Sequence, residues 1–165
     1  MNKELSKECL ETEFRKGSAG YVKKISPLLS PEILKLLAEM GHQDRLVLGD
    51  ANFPAERYAK QGVIVLRADG IRAPELLEAV LELYPLDEYV RTPVNLMAVP
   101  ADQNVETPIW DTYKDIVGKY DSRGTDAVGV LKRDAFYEAC ADAYAIIQTG
   151  ETAVYANIML DKGIV

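Results

Sequence analysis

The sequence predicts an α/β fold, a single domain in which helices flank a central sheet. Short apolar runs typical of buried strands alternate along the chain with amphipathic segments of helical period. Such alternation favours a sheet that is covered by helices. The chain has 165 residues, of which 48% are hydrophobic, a size and composition that suit one domain with a substantial core.

The first helix is predicted over residues 30–41, SPEILKLLAEMG. Ser30 suits the N-cap, Pro31 suits the first turn, and Gly41 suits the end of the helix. Apolar side chains recur every three or four residues and form one stripe, made of Ile33, Leu36, Leu37 and Met40.

The other elements follow in alternation. Strands are predicted at 45–50, 62–70, 94–100, 126–132, 145–150 and 153–161, and helices at 73–84, 108–120 and 133–144. In sheets of this class, ligands usually bind where loops meet beyond the strand ends. Polar side chains that follow a strand are therefore the first candidates for a site.

The first residues differ from the rest of the chain. We expect residues 1–21 to be an N-terminal extension, in which ELSKECLETEF suits a short helix and GSAG a flexible joint, and residues 22–165 to be the domain. The N-terminus is charged and lacks the apolar core of a signal peptide. No apolar run approaches the ~20 residues that would span a bilayer. We therefore expect a cytoplasmic protein.

Charge and motif content narrow the class of ligand. The net charge of −7 argues against binding to nucleic acid and to anionic membranes. Cys9 and Cys140 are far apart and form no CxxC, so a disulfide framework or thiolate zinc site is not expected. The sequence lacks GxGxxG, GxxxxGK[ST], HExxH and GxSxG, so we expect no cofactor and no metal. A carboxylate-only metal site stays open, and a neutral small molecule is the compatible partner.

The one histidine of the chain, His42, lies between the first predicted helix and the first predicted strand. An imidazole titrates near ~6.5 and can exchange a proton at neutral pH, although a lone histidine is more often a surface or helix-end residue. Asp50 follows eight residues later, across one short strand, and is expected to share its cleft. Asp50 either forms a turn in GDANFPA or accepts hydroxyl hydrogens from a polyol.

Two further pairs of polar residues are candidates. Arg133 and Tyr137 are four residues apart on a predicted helix and share a face. They either direct two donors at a sugar or pack as a surface arginine over a half-buried tyrosine. Tyr155 and Asn157 are two apart in a predicted strand and point to one side, where they either bind a ligand or contact solvent.

The segments ISPLLSPEILKLLAEMGHQDRLVLGDANFPA, RADG, AFYEA, AIIQTGE and YANIMLDKG, in this order, resemble the RbsD/FucU family of sugar mutarotases. The likeness covers about residues 22–165, and DANFP and RADG are closer to the L-fucose mutarotase branch than to the D-ribose pyranase branch. Members interconvert the anomers of free sugars without cofactor or metal. The resemblance implies a homo-oligomer, a decameric ring with sites at subunit contacts.

Matching of these motifs carries the family's functional positions to this chain. The proton donor falls on His42, in MGH, and the sugar-binding aspartate on Asp50. Further sugar contacts fall on Arg133, Tyr137, Tyr155 and Asn157 and, by spacing alone, on Asp87 and Met97, which equally suit a loop carboxylate and a core methionine. Two departures are that KRDAFY replaces NRFAFY, which puts Asp134 beside the arginine, and that Asn52 stands where a histidine is common.

The reaction that the resemblance implies fits these residue types. Anomer exchange opens a hemiacetal, so one group protonates the ring oxygen while another removes the anomeric hydroxyl proton. A positioned acid or base contributes about 10²–10⁴-fold. We expect His42 to be the acid/base and Tyr137 its catalytic partner, with Asp50 and Tyr155 as alternatives for the second role. Alternative functions are a D-ribose pyranase, a non-catalytic monosaccharide-binding protein and a purely structural oligomer.

Overall fold

The structure, a computed structural model, describes residues 22–165. The helix and joint expected within residues 1–21 lie outside the described residues. The helices are α1 (Pro31–Glu39), α2 (Ala55–Ala59), α3 (Ala73–Leu81), α4 (Pro108–Tyr120), a 3₁₀ helix (Gly124–Ala127) and α5 (Arg133–Ala141). The strands are β1 (Arg45–Gly49), β2 (Ile64–Ala68), β3 (Val94–Met97), β4 (Val128–Leu131), β5 (Ala145–Thr149) and β6 (Ile158–Asp161).

Within residues 22–165, six strands form one sheet in the order β2-β5-β1-β6-β3-β4. Strand β6 runs antiparallel to its neighbours β1 and β3, and all the other pairs are parallel. Leu46 and Leu48 of β1 belong to a core shared with α1, α3 and α4, whereas Val47 belongs to a core shared with α2 and α5. Helices thus cover both faces of the sheet, and the predicted fold class is confirmed.

The predicted start of α1 is confirmed, but its end differs. The Ser30 side chain accepts a hydrogen bond of 3.2 Å from the backbone N–H of Ile33, as an N-cap does. The helix ends at Glu39, and the left-handed residue of the following turn is Gln43, at φ +68°, rather than Gly41. Asp44 closes this turn, because its Oδ2 accepts from the N–H of Gly41 at 2.6 Å.

The last strand is shorter than predicted. Strand β6 begins at Ile158, and Tyr155 has a left-handed φ of +53°, so the prediction of a strand over residues 153–157 is wrong. The backbone carbonyls of Tyr155 and Ala156 accept side-chain hydrogen bonds from α4 instead of pairing with a neighbouring strand. Helix α2 and the 3₁₀ helix were not predicted, because both are too short to establish a period.

Strand β1 runs between two ends of the sheet, and predicted site residues lie at each end. His42 precedes β1 and Asp50 follows it, and five strand residues span roughly 15 Å. Because β6 is antiparallel, Leu48 pairs with Ile158 while Arg45 pairs with Asp161. Residues before β6 therefore lie at the carboxyl end of β1, and residues after β6 lie at its amino end. Among the helices described, none is both long and apolar enough to cross a membrane.

Candidate functional site

A cavity of about 280 Å³ lies at the carboxyl end of β1. Six of the residues singled out from the sequence line it, namely Asp50, Met97, Arg133, Tyr137, Tyr155 and Asn157, together with Asn52, Phe53 and Val154. They come from the ends of β1 and β3, the start of α5 and the segment that precedes β6. Residues distant in sequence thus converge on one small cavity with both polar and apolar walls, which we call the pocket.

Asp50 and Asn157 form the buried floor of the pocket. The N–H of Asp50 donates to Oδ1 of Asn157 at 2.8 Å, and Oδ1 of Asp50 accepts from the N–H of Asn52 at 2.9 Å. Asp50 and Asn157 are both buried. Burial raises the pKa of Asp50, although nearby backbone N–H groups favour its ionised form. The Asn157 oxygen is already used by the backbone, which leaves its amide NH₂ as a donor for a ligand.

Arg133 supplies unpaired donors at the rim of the pocket. It is the first residue of α5, and its guanidinium carbon lies 5.9 Å from the ring centroid of Tyr137. In the chain from residue 22 onward, Arg133 makes no ion pair, and the neighbouring Asp134 does not engage it. The five N–H groups of the guanidinium are therefore available to oxygen atoms of a ligand.

One wall of the pocket is aromatic. The ring of Tyr137 lies 6.1 Å from that of Phe53, and Phe53 in turn stacks on Tyr58 at 5.7 Å between centroids. The hydroxyl of Tyr58 donates to the backbone carbonyl of Tyr137 at 3.0 Å, and burial raises the pKa of Tyr58 to about 12. This stack fixes the position of Tyr137 and offers an apolar surface beside polar groups.

Helix α4 and the loop before it hold Tyr155 at the pocket. The indole Nε1 of Trp110 donates to the carbonyl of Tyr155 at 2.8 Å, and the hydroxyl of Tyr113 donates to the carbonyl of Ala156 at 2.7 Å. The Tyr155 hydroxyl donates to Oε1 of Gln103 at 2.5 Å. None of these three supporting residues was singled out from the sequence, because the loop that they hold is joined to α4 only by the fold.

A fully buried carboxylate, Glu151, lies behind the pocket. Its side chain accepts two hydrogen bonds from Arg72, at 3.2 and 3.0 Å, and one from the N–H of Ala153 at 2.9 Å. Burial opposes the ionisation of Glu151, but these hydrogen bonds outweigh it and lower its pKa. Its carbonyl accepts from the N–H of Ala51, so Glu151 ties the Asp50 turn to the segment that carries Tyr155. The motif AIIQTGE contains this glutamate but gave no reason to select it.

His42 lies at the opposite end of β1, in a second cluster. Its Nε2 lies 3.3 Å from Oδ1 of Asp87, and its ring centroid lies 5.6 Å from that of Tyr89. The N–H of Tyr89 also donates to Oδ1 of Asp87, at 2.9 Å. Asp87 is 1% exposed, and its Oδ2 has no hydrogen-bond partner in the part of the chain that is described.

The structure therefore divides the predicted site residues into two groups. The pocket contains six of them, whereas His42 and Asp87 form the second cluster, which we call the histidine cluster. The expectation that His42 shares a cleft with Asp50 is wrong within one chain, because β1 separates them. The pocket offers donors and an acceptor for hydroxyl groups, and the histidine cluster offers an imidazole held by a carboxylate. Across residues 22–165, no group of three His, Cys, Asp or Glu side chains is arranged to hold a metal.

Comparisons with known proteins agree with these observations. Residues 23–165 match the model of the RbsD / FucU transport protein family. The chain is 44% identical to a fucose mutarotase of Danio rerio over 87% of this chain and 94% of the relative. FucU from Bifidobacterium longum, whose crystal structure is known, is 49% identical in sequence to this chain. The two structures have a TM-score of 0.83, over 86% of this chain and 98% of that one. A fucose mutarotase from Streptococcus pneumoniae, solved in complex with L-fucose, is 42% identical, with a TM-score of 0.79 over 87% and 99% of the two chains.

Proposed function

Because the chain belongs to the RbsD / FucU transport protein family, we propose that it is an isomerase that interconverts the α and β anomers of L-fucose. The observation that carries the proposal is the pocket, in which Asp50, Arg133 and Asn157 converge beside an aromatic wall. The family match over residues 23–165 supports a mutarotase domain over residues 22–165, with residues 1–21 as an extension. We place the enzyme in the cytoplasm.

The chemistry of the pocket suits a neutral deoxy sugar. Asp50 accepts hydroxyl hydrogens once it is ionised, while Arg133 and the Asn157 amide donate to sugar oxygens. The Phe53 and Tyr137 rings and the buried Met97 contact the apolar C–H faces and the methyl group. Binding needs no phosphate cradle, in agreement with an acidic chain that carries a net charge of −7.

The complete site is assembled from two copies of the chain. The pocket lacks an imidazole, and neither His42 nor Asp87 lines it, so we place the histidine cluster of one copy over the pocket of a neighbour. Two exposed side chains support this arrangement: Tyr89, 72% exposed beside His42, and Val154, 53% exposed at the rim of the pocket. A contact between two different surfaces, repeated around a ring, gives a closed homo-oligomer, and we propose a decamer.

His42 then acts as the acid/base of ring opening. Its Nε2 is directed at Asp87, which leaves Nδ1 to exchange a proton with the sugar of the neighbouring pocket. Tyr137 takes the role on the other sugar oxygen, so that one group protonates the ring oxygen while the other removes the anomeric hydroxyl proton. Closure of the ring on the opposite face of the carbonyl gives the other anomer without a covalent intermediate.

The test of this function is NMR exchange spectroscopy of the two L-fucose anomers, with D-ribose as the comparison sugar. We expect the protein to accelerate exchange of L-fucose well above that of D-ribose. His42→Ala and Tyr137→Phe should each slow exchange by about 10²-fold or more, while Lys119→Gln, which removes an exposed ion pair with Glu78, serves as the matched control. Failure of the wild-type protein to accelerate either sugar would contradict the assignment and favour a binding protein.

Co-expression of two inactive variants tests the two-copy site. His42→Ala damages only the histidine cluster, and Tyr137→Phe damages only the pocket. In a mixed oligomer, about one quarter of the sites combine an intact histidine cluster with an intact pocket, so activity should return. Mixed oligomers that stay as inactive as their parents would mean that both residues serve the same chain.

A further inference from the structure

We propose that Arg123 is a positioning residue of this reaction, which holds the segment 87–90 so that Asp87 and Tyr89 face His42. The proposal rests on the proposed function. Arg123 follows α4 and lies outside both groups of site residues. It lines a separate cavity of about 530 Å³, behind that segment, together with Glu88 and Tyr120.

The guanidinium of Arg123 bridges both ends of the segment. It donates to the carbonyl of Asp87 at 3.0 Å and to that of Val90 at 2.8 Å. Its other N–H groups donate to the carboxylate of Asp121, at 2.9 and 2.7 Å. The backbone N–H of Arg123 also donates to Asp121, at 2.9 Å, so the side chain is fixed before it reaches the segment.

The segment depends on such outside contacts because it lies between α3 and β3, in neither helix nor strand. Apart from Arg123, it is anchored by the N–H of Asp87, which donates to the carbonyl of Asp161 at 3.0 Å next to the Leu86–Lys162 bridge. Those contacts fix its beginning, and the bond from the N–H of Tyr89 to Oδ1 of Asp87 closes the turn from within the segment. The bond from Arg123 to the carbonyl of Val90 fixes its end from outside, and so holds the turn that presents Tyr89.

The positive charge of Arg123 also suits its position behind the buried Asp87 carboxylate. The Asp87 carboxylate is buried, and its contact with His42 through Oδ1 leaves Oδ2 without a hydrogen-bond partner among the described residues. A buried carboxylate is costly unless positive charge and donors compensate for it. Arg123 brings a cation to the backbone directly behind Asp87, and it does so without competing with His42 for the carboxylate oxygens.

Replacement of Arg123 separates catalysis from sugar binding. We expect Arg123→Gln to lower the kcat of anomer exchange by about 10- to 100-fold, because a shift of about 1 Å in a catalytic group has that effect. The KM should stay near the wild-type value, because the pocket is untouched. Arg123→Lys should restore little of the loss, since an ammonium cannot bridge two carbonyls and a carboxylate in one plane. Lys119→Gln, on the same helix end, should behave like wild type.

Co-expression assigns Arg123 to one half of the site. Arg123→Gln with Tyr137→Phe should regain about a quarter of the wild-type activity, because intact histidine clusters meet intact pockets. Arg123→Gln with His42→Ala should regain none, because both variants lack an intact histidine cluster. A merely structural defect would lower recovery with both partners.

Three outcomes would overturn the proposal: an unchanged kcat in Arg123→Gln, a loss confined to KM, or equal recovery with both partners. If Arg123→Gln does not fold, Asp121→Asn replaces it, since that change frees Arg123 without removing it, and the same kcat loss and the same pairing are expected. Failure of the proposed function is distinguishable, because then His42→Ala would keep its activity or the wild-type protein would have none.

Discussion

The indole of Trp110 and the carbonyl of Tyr155 are joined by a hydrogen bond of 2.8 Å, at a residue whose φ is +53°. A left-handed conformation is unfavourable for a tyrosine and persists only where the surroundings hold it. The next carbonyl, of Ala156, is held in the same way by the buried hydroxyl of Tyr113. Helix α4 thus determines where Tyr155 stands in the pocket.

Removal of the Tyr113 hydroxyl should weaken both the fold and the pocket. Burial raises the pKa of Tyr113, so its hydroxyl stays protonated and donates. Tyr113→Phe leaves the carbonyl of Ala156 without a partner, and we expect a loss of about 1–3 kcal/mol in the free energy of unfolding, together with a raised KM for L-fucose. Urea unfolding and anomer exchange measure the two effects. Tyr120→Phe, a half-exposed tyrosine on the same helix, is the control, and an equal loss there would contradict the role of Tyr113.

Tryptophan emission should report sugar binding directly. Trp110 is the one tryptophan of the chain, and it is bonded to the backbone of a residue that lines the pocket. We expect a saturable change in emission when L-fucose is added to the wild-type protein, at concentrations that match its KM. Asp50→Asn, which lacks the ionised acceptor, should need far more sugar. An active protein whose emission is unchanged at saturating sugar would exclude a coupling between Trp110 and the pocket.

Asp50 should stabilise the protein at low pH and should lose this contribution as the pH rises. Burial raises the pKa of Asp50 above its ordinary value, so its ionisation in the folded state is unfavourable. The wild-type protein should therefore be most stable relative to Asp50→Asn below the ordinary carboxyl pKa of about 3.9. It should lose this advantage as pH rises through the raised pKa. Urea unfolding of both proteins across this range measures the difference, and a difference that grows with pH would refute the assignment.

The stability contribution of Glu151 should depend on pH in the opposite direction. Although burial opposes its ionisation, hydrogen bonds from Arg72 and Ala153 lower its pKa, so the ionised form stabilises the fold. Glu151→Gln should cost about 1–3 kcal/mol at neutral pH. That cost should shrink as pH falls through the lowered pKa, where the wild-type carboxylate also becomes protonated. Thermal unfolding of the two proteins from neutral to acidic pH measures it, and a cost that stays constant with pH would show that charge is not involved.

Local sequence patterns were sufficient to predict most helices and strands, but not the residues at which they begin and end. The apolar stripe and the Ser30 cap predicted α1 because both are interactions within one helix. The last strand was predicted too long, since Ala156 is buried although it lies outside the strand, close to the buried strand residues 158–160. Burial of Ala156 against α4 has the same sequence signature as burial in a strand, so only the fold distinguishes them.

The sequence by itself determined the fold class, because helical and strand periods and caps are properties of neighbouring residues, and its motifs supplied the candidate site residues through the family resemblance. Only the tertiary structure decided how these residues are divided between the pocket and the histidine cluster. Strand β6 runs antiparallel beside β1, and this long-range pairing brings Asn157 to Asp50 while it places Asp161 and the following turn near His42. No local pattern encodes which strands pair or in which direction. His42 and Asp50, eight residues apart in sequence, therefore stand at opposite ends of one strand.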